Sequence, residues 1–402
     1  MRKISAICFL IITTFAAMAS TSNKERLTLR IDSLMRANYD DDAPGAALLI
    51  ADGHNVLFDR GYGVEDVETK SKITGYTNFN IASISKQFTV AGILRLQEEG
   101  MLSIEDCVAK YMPEFKSGIW KRVRLRHLMS HSSGVPDLRP RNDKNFMLYA
   151  TDEQSIEYMR DLDSLKFTPG TAYDYINPTF QILYAIIQKL SGLTFEDFQR
   201  KEVFMPSKMA DVRYFSPDKN IPHMAHGYII DGVGAEYSID SDSQKVREKA
   251  DKVYIDSKGR NWAECDYGEE TFFATKSDGG IYTNTHELLN WELALDENLC
   301  ISQSSKELAY TKWTKVSGSK FCSYQNRPNT WYGLGWFIED LPDGQCRIYH
   351  TGDNGGFQAY LAKYTSSRVK VIMLENRNDI DRWSMQQKIE QILHEEGVLK
   401  AE

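Results

Sequence analysis

The sequence lacks most of the signals that would settle its chemistry at once. It has no glycine-rich phosphate cradle and no Gly-x-Ser-x-Gly elbow, so neither phosphate-ester chemistry nor an α/β-hydrolase site is supported. It has no internal repeat and no low-complexity linker. No basic stripe with interleaved aromatics occurs and the formal net charge is −8, so no nucleic-acid partner is expected. The one basic cluster, Lys121 to Arg126, reads as a solvated strand or helix face. Cysteine spacings match no metal framework. His127 and His131 form a His-x3-His pair with no third ligand in step, and "HELLN" at 286–290 lacks the second histidine of a zinc-protease helix. Both histidines are therefore read as packing or loop-fixing groups, with neither metal nor cofactor.

Only one long apolar run is present. "ISAICFLIITTFAAMA" follows Arg2 and Lys3 and leads into Ala17-Met18-Ala19, a small-x-small cleavage pattern. The run is short for a membrane span and is broken by Thr13 and Thr14, so residues 1–19 are expected to be a removed export signal. The mature chain, residues 20–402, would then be periplasmic or secreted, with no stable membrane span. Losing Arg2 and Lys3 takes the formal charge from −8 to −10. Cys107, Cys265, Cys300, Cys322 and Cys346 remain, an odd set that leaves at least one thiol free. Cys300 with Cys322 is a candidate bridge that spacing does not decide.

What is present is a globular chain of 402 residues, 42% hydrophobic and 26% charged. Leu27, Ile31, Leu34 and Met35 recur at helical spacing between residues 25 and 39. "GAALLIA" and "NVLFDRGYG" flank Asp52-Gly53, a hairpin signal. Residues 84–99 read as a helix closed by Gly100, and "PTFQILYAIIQKLSG" as one opened by Pro178 and closed at Gly192. "YGLGWFIED", "CRIYH", "FQAYLAKYT" and "RVKVIMLEN" read as strands, followed by a helix over about 380–395. The pattern predicts an α/β (α+β) fold whose antiparallel sheet is formed by the N- and C-terminal segments and flanked by helices. The sheet-bearing part is placed at about 25–120 and 271–402, with a mostly helical insertion at about 121–270, in a single domain.

The chemistry concentrates in "NFNIASISKQFTVAGILRLQEEG", which sets Ser83 three residues before Lys86. A Ser-x-x-Lys pair is weak alone, and Ser216/Lys219 and Ser317/Lys320 also fit it. Only Ser83 opens a helix that is apolar around most of its circumference, as a buried central helix is. Residues i and i+3 share a helix face, so the Lys86 amine can reach the Ser83 hydroxyl. Burial disfavours the ammonium form, which would let the neutral amine take the serine's proton.

Two further motifs follow in order: "YIN" at 175–177 and "HTG" at 350–352. With "SISK" they resemble the three signatures of the serine β-lactamase and penicillin-binding-protein superfamily, Ser-x-x-Lys, Tyr-x-Asn and Lys/His-Thr-Gly. The resemblance is to the class C-like branch, which includes D-alanyl-D-alanine carboxypeptidases, D-amino-acid amidases and lipase-like esterases. "YTN" at 76 and 282 and "YQN" at 324 also fit Tyr-x-Asn, but only Tyr175 follows a Pro-Gly-rich lead-in, "FTPGTAYD", and precedes a good helix. "HLMSHSSGVPD" at 127–137 and "GGIYTNTHELLNWELAL" extend the likeness over about residues 25–395. It is weakest at 212–270, where only "AHGY" at 225–228 is familiar.

The resemblance implies Ser83 as nucleophile, with Lys86 and Tyr175 sharing the proton traffic. Asn177 reads either as a helix cap before Pro178 or as a ligand for Lys86 or a substrate carbonyl. His350, Thr351 and Gly352 would form a strand edge beside the nucleophile. The backbone N–H of Asp353 would join that of Ser83 in an oxyanion hole. His350 stands where β-lactamases carry lysine, and a largely neutral imidazole supplies no fixed charge for a substrate carboxylate. The expected function is that of an exported serine hydrolase acting through an acyl-enzyme on an amide or ester. A small molecule or peptide, a D-amino-acid peptide of the cell wall among them, is the expected partner. A β-lactamase proper, or a non-catalytic penicillin-binding receptor or scaffold, is the alternative.

Overall fold

The structure, a computed structural model, describes residues 23–140, 151–214, 220–230, 253–265 and 276–400. Residues 1–19, expected to be an export signal, lie outside the described residues. So does Ser216/Lys219 of the competing Ser-x-x-Lys pairs.

An eight-stranded sheet carries the fold. Its strands are β1 (Ala46–Asp52), β2 (Asn55–Tyr62), β9 (Thr314–Lys315), β10 (Thr330–Tyr332), β11 (Phe337–Asp340), β12 (Cys346–Asn354), β13 (Phe357–Tyr364) and β14 (Val369–Glu375). The order is β2-β1-β14-β13-β12-β11-β10-β9, antiparallel throughout. The first and last thirds of the chain thus meet where β1 pairs with β14, Ala46 opposite Glu375.

The central strands are covered on both faces, and their sequences reflect it: "AALLIA" is an unbroken apolar run because both sides face cores. Ala47, Leu49, Ile372 and Leu374 enter the larger core. Their neighbours Leu48, Ile50, Val371 and Met373 enter the second. Helix α1 (residues 23–38) and the C-terminal helix α5 (Arg382–Glu395) close the second core with Leu27, Ile31, Met35, Met385, Ile389 and Leu393. The larger core takes α2 (Ser85–Glu98), α3 (Pro178–Ser191) and α4 (Thr285–Asp296). Helix α2 is buried at eleven of its fourteen positions, the central helix its composition predicts. It ends as expected: Gly100 has φ +72, and N–H groups of Gly100 and Met101 reach back to the carbonyls of Gln97 and Leu96.

Three readings shift. The β1–β2 turn is Gly53-His54, because Asp52 already pairs with Asn55. "YGLGWFIED" is not one strand: Gly333 to Trp336 form the turn between β10 and β11, closed by Gly333 N–H to Trp336 C=O at 2.8 Å. Among its described residues the stretch 121–270, expected to be mostly helical, carries short strands beside its helices. It contributes β4 (Arg213–Tyr214) to a small sheet with β3 (Phe79–Asn80) and β8 (Ile281–Thr283). It also forms a second small sheet of β5 (Tyr228–Ile230), β6 (Val253–Ile255) and β7 (Asn261–Glu264). The five described cysteines are all free, so Cys300 and Cys322 form no bridge.

Candidate active site

Ser83 sits in the single 3-10 turn Ala82–Ile84 that leads into α2. The turn is held by Asn80, whose side-chain oxygen accepts the Ala82 N–H at 3.0 Å. Ala82 itself adopts φ +45, a left-handed conformation that an alanine occupies only under constraint. One helical turn on, Lys86 is wholly enclosed. Its amine donates to Ser83 Oγ at 3.0 Å and to the backbone carbonyl of Asp278 at 2.8 Å. The Asp278 carboxylate lies 4.0 Å away. Burial lowers the Lys86 pKa to about 8, even though Asp278 pulls the other way. Burial likewise raises the carboxyl of Asp278 to about 6, against the pull of Lys86 and Arg139. Each partner is thus driven toward its neutral form by desolvation and back toward its charged form by the other.

Tyr175 arrives from the loop before α3. The Lys86 amine lies 5.0 Å from its ring centre. Burial drives the phenol's pKa well above 10, while the Ser83 hydroxyl beside it acts in the opposite direction. The hydroxyl is buried and completes no hydrogen bond of ordinary geometry. The phenol is therefore held protonated, not acidified. Asn177 is at the N-cap position of α3, but its backbone is already helical and its side chain caps nothing. The side-chain oxygen is buried without a partner.

His131 positions this loop. Its Nδ1 accepts the Ile176 N–H at 3.2 Å, its carbonyl accepts the Asp174 N–H at 2.9 Å, and its ring lies 4.0 Å from that of Tyr175. Burial, with the Lys86 charge behind it, keeps the imidazole neutral. His127 likewise accepts the Arg124 N–H, at 3.1 Å. Among the described residues no group of three or more metal-ligating side chains occurs.

The other wall is β12. Gly352 packs so closely on the turn before Ser83 that a Cβ there would lie 2.2 Å from the Ile81 carbonyl oxygen. That contact brings the strand against the serine. His350 turns out to be fully enclosed. Its Nε2 meets the Tyr332 hydroxyl at 3.0 Å and its Nδ1 the Thr351 carbonyl at 2.6 Å. Burial lowers its pKa to about 3. The ring is neutral and enclosed, 6.3 Å from that of Tyr175. The Thr351 hydroxyl is shared by Tyr324 at 2.8 Å and Gln325 at 3.1 Å. The Asp353 carboxylate pairs with Arg382 of α5.

Sequence reasoning overlooked Asp278, Arg382 and Tyr324. Asp278, an acid directly before Gly279-Gly280, could have been noticed. Tyr324 belongs to the "YQN" set aside on context, yet its ring lies 4.6 Å from Tyr175. Nothing local marks Arg382.

Residues 30–388 match the family described as Beta-lactamase, and the chain belongs to that family. It is 27% identical over 344 residues to penicillin-binding protein 4* of Bacillus subtilis (strain 168), covering 83% of this chain and 68% of that protein. It is 28% identical over 340 residues to protein flp of Staphylococcus aureus (strain NCTC 8325 / PS 47), covering 83% of this chain. The match takes in 60% of protein flp, so the chain spans about three-fifths of that relative's length. In fold it is similar to the octameric penicillin-binding protein homologue from Pyrococcus abyssi, with a TM-score of 0.70 at 23% identity, covering 91% of this chain and 77% of that one. It is also similar to the D-amino acid amidase from Ochrobactrum anthropi SV3, with a TM-score of 0.69 at 16% identity, covering 93% and 99%. No helix among the described residues is long and apolar enough to cross a membrane.

Proposed function

We propose that this protein is an exported serine hydrolase that cleaves an amide or ester through an acyl-enzyme on Ser83. The observation that carries the proposal is the 3.0 Å contact between Ser83 Oγ and a fully enclosed Lys86 amine whose pKa burial has lowered to about 8. A neutral fraction of that amine is available near physiological pH, and it is already in place to accept the serine proton. The nucleophile then attacks the carbonyl carbon. Backbone N–H groups of Ser83 and Asp353 would receive the developing oxyanion.

Tyr175 takes the acid role. A phenol kept protonated beside Ser83 can donate to the leaving group and be recharged from the Lys86 ammonium, which leaves the lysine ready for the next cycle. Water attacks the acyl-enzyme by the same route in reverse. The buried oxygen of Asn177 is suited to orient Lys86 or a substrate amide. His350 contributes to the wall without touching substrate. Export rests on the charged, apolar, small-x-small order of residues 1–19.

The test treats the mature protein with a chromogenic ester, a fluorescent penicillin and a fluorophosphonate, alongside Ser83→Ala. Turnover and labelling that both disappear in the variant support the enzyme. Stoichiometric labelling without turnover supports a receptor instead, and turnover that survives Ser83→Ala would end the proposal.

A further inference from the structure

The charge along the ligand edge of β12 carries a second conclusion, which rests on the serine-hydrolase reading and narrows its substrates. This is the edge on which the resemblance expects a lysine to receive a substrate carboxylate. Here His350 is uncharged and enclosed, with both ring nitrogens engaged. The Thr351 hydroxyl is taken by Tyr324 and Gln325. Among the described residues the cation bonded to this edge is Arg382, and its terminal nitrogens are already engaged. One terminal nitrogen donates to the carbonyls of Gly352 at 3.3 Å and Ala359 at 3.1 Å, and the other to the Asp353 carboxylate. Its Nε–H is buried without a partner.

Asp353 is different. Its side chain is 42% exposed, while that of Arg382 is 8% exposed, so the pair presents its negative member outward. Asp353 also faces the reacting groups. The Tyr324 hydroxyl spans Thr351 Oγ1 at 2.8 Å and Asp353 Oδ2 at 3.4 Å, and the Tyr324 ring lies 4.6 Å from that of Tyr175. A substrate carboxylate laid along this edge would meet an anion at close range, and to gain Arg382 it would have to displace Asp353. An uncharged group meets no such obstacle, and an ammonium group would find a counter-ion.

We infer that Asp353, paired to Arg382, makes this site select against a free carboxylate beside the reacting carbonyl. Its substrates are neutral or ammonium-bearing esters and amides, such as amino-acid amides and esters. Peptides ending in a free carboxylate, and β-lactams with theirs, are poor ligands.

The experiment uses a matched pair on the mature protein: benzoylglycyl thioglycolate and its methyl ester, alike except for one carboxylate. Each is measured by turnover and by its ability to protect Ser83 from fluorophosphonate labelling, so a result is obtained even if thioesters are turned over slowly. The neutral ester should be favoured by about tenfold in kcat/KM or in protection, the size expected for one like-charge contact at a partly exposed site. That preference should shrink at high salt. In Asp353→Asn the acid-to-ester ratio should rise by roughly fivefold or more, and the wild-type comparison stands if that variant does not fold. Equal handling of the two compounds would overturn the inference. So would protection by neither, or an Arg382→Ala variant that loses the acid selectively. If Ser83 is not labelled at all, the hydrolase reading itself has failed. If Ser83 is labelled and the acid is preferred, the inference alone has failed.

Discussion

Around Ser83 the buried polar atoms are left open, whereas along residues 350–353 nearly all of them are closed. On the serine side Tyr175 Oη, Asn177 Oδ1, Asp278 Oδ1, His131 Nε2 and Asn80 Nδ2 are buried without a hydrogen-bond partner. On the strand side His350, Thr351 and Asp353 are all bonded, and only Nε of Arg382 is not. A buried polar atom without a partner costs about 1–3 kcal/mol, so a fold does not gather several in one place without compensation. The contrast fits the proposed function: the open side carries polar atoms that a substrate or water would meet, while the closed side holds the shape and charge of the cleft.

Substitutions on the two sides should therefore fail in different ways. The largest effect belongs to Lys86→Met, which keeps the bulk and removes the proton acceptor. Ester turnover or fluorophosphonate labelling should fall by about a thousandfold, the scale of a lost general base. Thermal stability should fall as well, because the buried Asp278 carbonyl and carboxylate lose their partner, so rates are compared on protein shown to be folded. If Lys86→Met keeps its rate, the open side has no base. Gly352→Ala attacks the seam between the sides. A Cβ 2.2 Å from the Ile81 oxygen forces β12 away from the serine turn. We expect about 1–3 kcal/mol of lost stability in chemical denaturation, the usual range for overpacking, together with slower acylation. On the closed side, Thr351→Val should cost about 1 kcal/mol of stability by stranding the Tyr324 and Gln325 donors.

How much of this was legible beforehand follows the range of the interactions involved. The sheet assembled from both ends of the chain was readable, since "AALLIA" and "VIML" are apolar without alternation and so demand cover on both faces. Ser83 and Lys86 were readable because three residues in a helix fix a shared face. Tyr175, 92 positions after Ser83, was legible only through the motif order of the resemblance, not from physical periodicity. Asp278 and Arg382 reach the site by tertiary contacts with no local pattern. Proximity to a lysine alone would suggest a lowered pKa for Tyr175, but desolvation dominates for a hydroxyl this enclosed. His350 was expected at the ligand edge; it shares the strand face of Gly352, but its ring is fully enclosed between Tyr332 and the Thr351 carbonyl, which no local pattern announces.

Asp278 offers a way to sharpen the contrast without abolishing activity. The acid limb of kcat/KM should follow deprotonation of Lys86, at about pH 8. Asp278 stabilises the ammonium, so its carboxylate holds that limb higher than burial alone would. Removing the charge in Asp278→Asn should let burial act unopposed and move the limb to lower pH by about one unit. Asp278→Glu should return it. A residue that only packs would leave the pH profile in place, and a limb that stays put would mean the two groups do not communicate.

The smallest expected effect tests whether constraint, and not only chemistry, distinguishes the serine side. Ala82 occupies φ +45 directly before Ser83. A left-handed alanine costs about 1–2 kcal/mol, a cost glycine avoids. Glycine also enlarges the unfolded ensemble, which returns about 0.4–1 kcal/mol of that gain. Ala82→Gly should therefore raise stability by only about 0.5 kcal/mol, measured by chemical denaturation. Its effect on rate should have the opposite sign. Residue 82 fixes the direction of the turn that presents the Ser83 hydroxyl and N–H, and a glycine can relax away from it. A variant that is slightly more stable and several-fold slower would identify the backbone conformation as part of the catalytic arrangement. One that is slower and less stable would instead point to lost packing of the Ala82 methyl against β12, where it lies 3.0 Å from the place a Gly352 Cβ would take.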